Sequence, residues 1–235
     1  MSNVCCPTDK GVPDVEYAAT GNKYYITGPI DSKKGVLMIA DIFGIDIDNS
    51  KRYMDHLAAE GFLVVAPNFF GRRCWPTSQW PPNYESEEWQ SFFNYVINFD
   101  AHIGHAYEAA KLMRKLGVEK ISSVGMCWGA NISVRLAREK VVDAVLTPHP
   151  SLLTVESLKD YTGPLGILFS KDEPLQDEIR EALKDYPSKC VCESYDQLDH
   201  GFLCGRYGYD ENNKEQMKQL DAAEKSSIDF LKAVL

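Results

Sequence analysis

The chain has 235 residues, 44% of them hydrophobic, and a formal net charge of −9. That is enough for one α/β domain over residues 1–235 with its own core, while the acidic balance argues against nucleic acid or an anionic membrane as a partner. No apolar stretch approaches the roughly 20 residues of a membrane span. Met1–Lys10 has no basic-then-apolar leader, and the seven cysteines are an odd number that suits a reducing compartment, so a cytoplasmic protein is expected.

In chain order, Gly35–Ala40 is a continuous apolar run, as a strand covered on both faces should be, and it leads into Asp41-Ile-Phe-Gly44. Asn49 or Ser50 can cap a helix carrying Tyr53, Met54, Leu57 and Ala58 and ending near Gly61. Phe62–Ala66 is a second buried strand, stopped by Pro67. Arg72–Glu88, rich in Pro and Trp and without periodicity, reads as a long loop. Phe99–Leu116 has helical spacing with Gly117 as its stop. Ile121–Val124 is a strand leading into Gly125-Met-Cys-Trp-Gly129, after which Ala130–Ala137 is helical. Val142–Leu146, Pro164–Phe169 and Cys190–Tyr195 are further strands, and a helix over about Asn213–Val234 closes the chain. Apolar strands alternating with amphipathic helices predict an α/β fold, a mostly parallel sheet with helices on both faces. Ligands in such a sheet collect beyond the carboxyl ends of the strands.

Gly125–Gly129 has the form G-x-nucleophile-x-G at a strand-to-helix elbow, where the sharp turn pushes the central side chain out above the sheet. A thiol at a helix N-terminus ionises more readily than a free one. The bland alternative is a buried cysteine between packing glycines. Asp172 follows the strand Pro164–Phe169, and His200 follows Cys190–Tyr195, so the order along the chain is nucleophile, acid, histidine. His200 can take a proton from Cys127, and Asp172 can hold the other ring nitrogen. Glu173 is the nearest competitor for the acid, one residue further on and before Pro174. The amides of Trp128, the residue after the nucleophile, and of Ile42, after the first strand, are the expected oxyanion donors. His149, after another strand, is expected to face the cleft and line the substrate pocket. Cys190/Cys192 and Cys5/Cys6 do not offer four ligands at zinc spacing, so no metal is expected. His102 and His105 read as surface residues of one helix. Trp75, Trp80 and Trp89 read either as anchors of a lid or as loop packing.

Taken together, Asp41–Gly44, Ala66-Pro-Asn-Phe-Phe70, Gly125–Gly129, Asp172 and His200-Gly-Phe202 resemble the dienelactone hydrolase (carboxymethylenebutenolidase) family, and most closely its eukaryotic branch, from about Gly35 to the C-terminus. The resemblance implies an α/β-hydrolase fold without a large cap domain, a Cys-His-Asp triad of Cys127, His200 and Asp172, and hydrolysis of small lactones or esters with no metal or cofactor. It also implies a monomer or weak homodimer. Bacterial members carry Glu where this chain has Asp41, beside the resting thiol, which makes Asp41 a candidate thiol-modulating group. The arginines that hold a substrate carboxylate in the family match Arg72 or Arg73 and Arg206, each offset by one or two residues. Two alternatives stand beside this reading. One is a glutamine amidotransferase-like or flavodoxin-like cysteine enzyme, whose histidine would be followed two residues later by Glu rather than Phe202. The other is a hydrolase scaffold that binds without turnover.

Overall fold

The computed structural model describes residues 23–205 and 212–235. Seven strands among these residues form one sheet: β1 (Tyr24–Thr27), β2 (Lys34–Ile39), β3 (Leu63–Pro67), β4 (Lys120–Gly125), β5 (Ala144–Pro148), β6 (Leu165–Ser170) and β7 (Cys190–Tyr195). Their order is β1-β3-β2-β4-β5-β6-β7, with only β1 antiparallel to its neighbour. This is the arrangement of an α/β-hydrolase fold. The six apolar runs each became a strand, shifted by at most two residues. Edge strand β1 was not anticipated, because Tyr24–Thr27 is a short, half-buried segment rather than an apolar run.

Both faces of the sheet are covered, and the side chains alternate between them as the pleat requires. Val36, Met38, Val64 and Val124 pack beneath α1 (Asp48–Ala59) and the closing helix Lys214–Val234. Leu37, Ile39, Val65 and Ile121 face the other layer. That layer holds α2 (Glu87–Val96), α3 (Phe99–Lys115) and α4 (Gly129–Arg138). The remaining helices are α5 (Val155–Leu158), α6 (Gln176–Ala182) and α7, the closing helix. No helix among the described residues is long and apolar enough to cross a membrane.

Helix α1 starts earlier than expected and without a side-chain cap. Ile47 occupies the cap position, because the Asn49 amide donates instead to the Cys204 carbonyl at 2.6 Å and Ser50 is buried in the first turn. Helix α2, unanticipated, begins inside the expected loop. The Ser86 hydroxyl accepts from the Trp89 amide as its cap, and Trp89, Phe92 and Val96 form the buried face.

Candidate active site

Cys127 sits at the sharp turn between β4 and α4 with φ of 52°. A non-glycine residue held there stores strain that the surrounding structure must impose. The imposition is visible in the flanking glycines, where close approach rather than backbone angle forbids a side chain. A Cβ on Gly129 would lie 2.3 Å from the Ile39 carbonyl of β2, and one on Gly125 would lie 2.4 Å from the Gly129 carbonyl. The Cys127 carbonyl also accepts from the Ser151 amide at 2.9 Å, tying the elbow to the loop after β5. Trp128 is buried beneath the turn. Its indole donates to the Val96 carbonyl at 2.7 Å, and its ring packs on Phe70 and Phe99.

His200 and Glu173 come to this elbow from β7 and β6. His200 Nδ1 donates to Glu173 Oε1 at 2.6 Å, and Ser170 Oγ donates to the same oxygen at 2.6 Å. This corrects the expectation for the acid. β6 runs one residue beyond Phe169, and the Lys171-Asp172 turn then leaves Asp172 exposed at the cavity while Glu173 folds back to a position only 6% exposed. On the other side of the ring, Ser151 Oγ stands 3.4 Å from His200 Nε2 and 3.2 Å from Cys127 Sγ, so a hydroxyl bridges imidazole and thiol. Sequence reasoning missed Ser151. Burial pushes the His200 pKa down, but the nearby Cys127 sulfur and the Glu173 carboxylate outweigh it and raise the ring from 6.5 to about 10.

The sulfur opens into a cavity of 420 Å³ whose walls include Ile42, Phe43, Trp80, Trp89, Phe93 and Trp128. Neither the Ile42 nor the Trp128 amide donates to a backbone carbonyl among the described residues, whereas the next amides along, Phe43 and Gly129, are engaged by Asp41 and Met126. Both expected donors therefore line the cavity with their N–H groups uncommitted to the backbone. The tryptophans of the long segment are packed in place. Trp75 is buried against Trp89 at 4.9 Å, and the Trp80 ring meets Phe43 edge-on at 5.7 Å.

Several expected site residues lie elsewhere. The buried Asp41 carboxylate takes the Cys204 thiol at 2.7 Å and the Phe43 amide at 2.9 Å, and Asp41 is not part of the cavity wall. Arg72 and Arg73 are exposed and also absent from the wall; the Arg73 guanidinium lies 3.9 Å over the Tyr95 ring. His149 is fully buried rather than cavity-lining, with φ of 39° and its ring against those of His200 and Phe202 at 5.1 and 5.0 Å. It supports the imidazole from below. Arg206 lies outside the described residues, as do Cys5 and Cys6. His102 is buried, not on the surface, because its Nε2 donates to the Tyr95 carbonyl at 2.9 Å, next to the Val96 carbonyl that Trp128 holds. These two bonds pin the last turn of α2, one wall of the cavity.

A model of the dienelactone hydrolase family matches residues 23–235. The chain belongs to this family. An uncharacterized AIM2 family protein of Schizosaccharomyces pombe is 26% identical over 250 residues, covering 98% of this chain and 99% of its own. The carboxymethylenebutenolidase homolog of Homo sapiens is 26% identical over 218 residues, covering 84% and 85%. In fold, a dienelactone hydrolase from Anabaena variabilis superposes with a TM-score of 0.65 at 14% identity, over 94% of this chain and 95% of that one. Membership of the dienelactone hydrolase family sets aside the amidotransferase-like alternative and assigns the chain to a class of lactone and ester hydrolases.

Proposed function

We propose that the chain hydrolyses small esters or lactones through a thioester on Cys127, with His200 moving the protons and Glu173 orienting His200. The observation that carries this reading is the row Glu173–His200–Ser151–Cys127, ending in a sulfur held at a strained elbow above an apolar cavity.

The Cys127 thiolate adds to the carbonyl carbon, and the electron pair displaced onto oxygen is met by the Ile42 and Trp128 amides. When the carbonyl re-forms, the C–O bond breaks and the departing alkoxide takes the proton from His200 Nε2, leaving a thioester; in a lactone the alcohol stays tethered. Acylation also caps the sulfur, the first of the influences that raise His200, so the ring holds its proton less tightly. The ring then serves as the base. It takes a proton from water, whose oxygen attacks the thioester, and collapse returns the thiolate beside a protonated ring. One water is consumed, and the acid and alcohol leave.

Glu173 keeps Nδ1 engaged throughout and so aims Nε2 at the reacting atoms. The Ser151 hydroxyl links ring and sulfur in the resting site. Cys127→Ala is expected to lower kcat/KM for p-nitrophenyl acetate by at least about 10³-fold. Full activity in that variant overturns the assignment.

A further inference from the structure

We infer that the substrate is an ester with two apolar halves, an aromatic acyl group seated in the cavity above Cys127 and an alkoxy chain that crosses Leu152 into a second cavity. The inference rests on the hydrolytic reading above and names its substrate class.

A cavity of 280 Å³ lies beside the first, walled by Pro150, Leu153, Phe169 and Ile179 among others. Leu152 and Pro174 line both, so the two spaces meet along these residues. The seam is built at a cost. Leu152 and Leu175 both have left-handed backbones, with φ of 59° and 60°, and both are exposed, at 48% and 43%. A leucine gains nothing in water, and strained non-glycine residues gather where function requires them. Two such leucines on the rim of one apolar trough mark a surface made for an apolar ligand.

Strand order decides which half of the ester goes where. Cys127 follows β4. On the β2 side of it lie the Ile42 loop and the α2 wall, with Trp80, Trp89 and Phe93 offering ring faces and edges suited to a flat aromatic group. On the β5 and β6 side lie Ser151, Leu152, Glu173 and Pro174, and with them the second cavity. His200 is held on that same side by Glu173 and Ser151. The leaving alkoxide must lie next to the imidazole that protonates it, so the alkoxy chain takes the second cavity and the acyl group takes the aromatic one.

The test is a chain-length series, methyl, butyl and hexyl benzoate, followed by chromatography of released benzoate. A matched series of methyl esters with lengthening straight acyl chains runs alongside. Each methylene entering an apolar cavity contributes about two- to fourfold, so kcat/KM is expected to rise at least about tenfold from methyl to hexyl benzoate and to rise less along the acyl series. Leu175→Asp suits a left-handed backbone and is expected to cut the hexyl-to-methyl ratio about fivefold or more. Val155→Asp, at an exposed position that lines neither cavity, is expected to leave that ratio unchanged. A flat benzoate series, a ratio indifferent to Leu175→Asp, or steeper dependence on the acyl chain overturns the inference while leaving the hydrolase intact. Turnover of p-nitrophenyl acetate with none of any benzoate overturns the aromatic assignment. Failure with every ester, p-nitrophenyl acetate included, overturns the hydrolytic reading itself.

Discussion

Glu173 and Asp172 are neighbours in sequence with opposite surroundings, so replacing each by its amide separates two accounts of the acid. Glu173 Oε1 receives both the His200 ring and the Ser170 hydroxyl at 2.6 Å in a site only 6% exposed. Glu173→Gln keeps the volume and removes the charge. A hydrogen bond to an ionised partner contributes about 1.5–3 kcal/mol, which corresponds to roughly a 10- to 150-fold loss in kcat/KM if the bond acts on the transition state. The loss grows further if the amide turns its NH₂ toward Nδ1 and selects the wrong ring tautomer. Asp172 is exposed at the cavity edge, so Asp172→Asn is expected to cost about threefold or less, an effect of surface charge alone. Both variants are assayed with p-nitrophenyl acetate from pH 5 to 9, alongside thermal unfolding to show that each is folded. A larger loss in Asp172→Asn than in Glu173→Gln refutes the assignment of Glu173 as the partner of the imidazole.

His200 also links stability to pH. Its pKa is raised on folding from 6.5 to about 10, so the folded state binds the ring proton more tightly. The resulting stabilisation is complete below about pH 6.5 and is lost as pH climbs toward 10. Urea midpoints should therefore fall more steeply over that window in the wild type than in Cys127→Ala, which lacks the sulfur that raises the ring; equal slopes would contradict the pairing. Ser151→Ala removes the hydroxyl between Sγ and Nε2 and is expected to reduce kcat/KM about tenfold, with unfolding little altered. A loss under twofold takes Ser151 out of the row.

Much of this architecture was legible in the residues because its strands are buried on both faces and therefore read as apolar runs. Cys127 was legible because the elbow needs small flanking residues, and Gly125 and Gly129 have no room for a Cβ. His200 followed from the order along the chain. The choice between Asp172 and Glu173 was not legible: it depends on β6 ending at Ser170 and on the direction of the next turn, and a shift of one residue at a strand end decides which carboxylate points inward. Ser151 and His149 illustrate the same limit. The sequence Thr147-Pro-His-Pro-Ser151 suggested a cleft-facing histidine, but the left-handed turn at His149 buries that ring beneath His200 and presents Ser151 two residues later. Helix α2 was obscured by its aromatic content. Trp89, Phe92 and Val96 do share one face, yet Pro81, Pro82 and the tryptophans before them read as loop. The arginines were suggested only by the resemblance to a family, at an offset of one or two residues, and position after a strand did not fix where Arg72 and Arg73 project; the Arg73 guanidinium lies over the Tyr95 ring.

The most direct measurement is the mass of the protein caught during turnover. With p-nitrophenyl acetate and an acid quench, intact-mass analysis should find a population heavier by one acetyl group, and peptide mapping should place that group on the Cys127 sulfur, absent when His200 or the substrate is removed. Turnover at full rate with the acetyl group on Ser151, or on no residue at all, would contradict a thioester at the elbow.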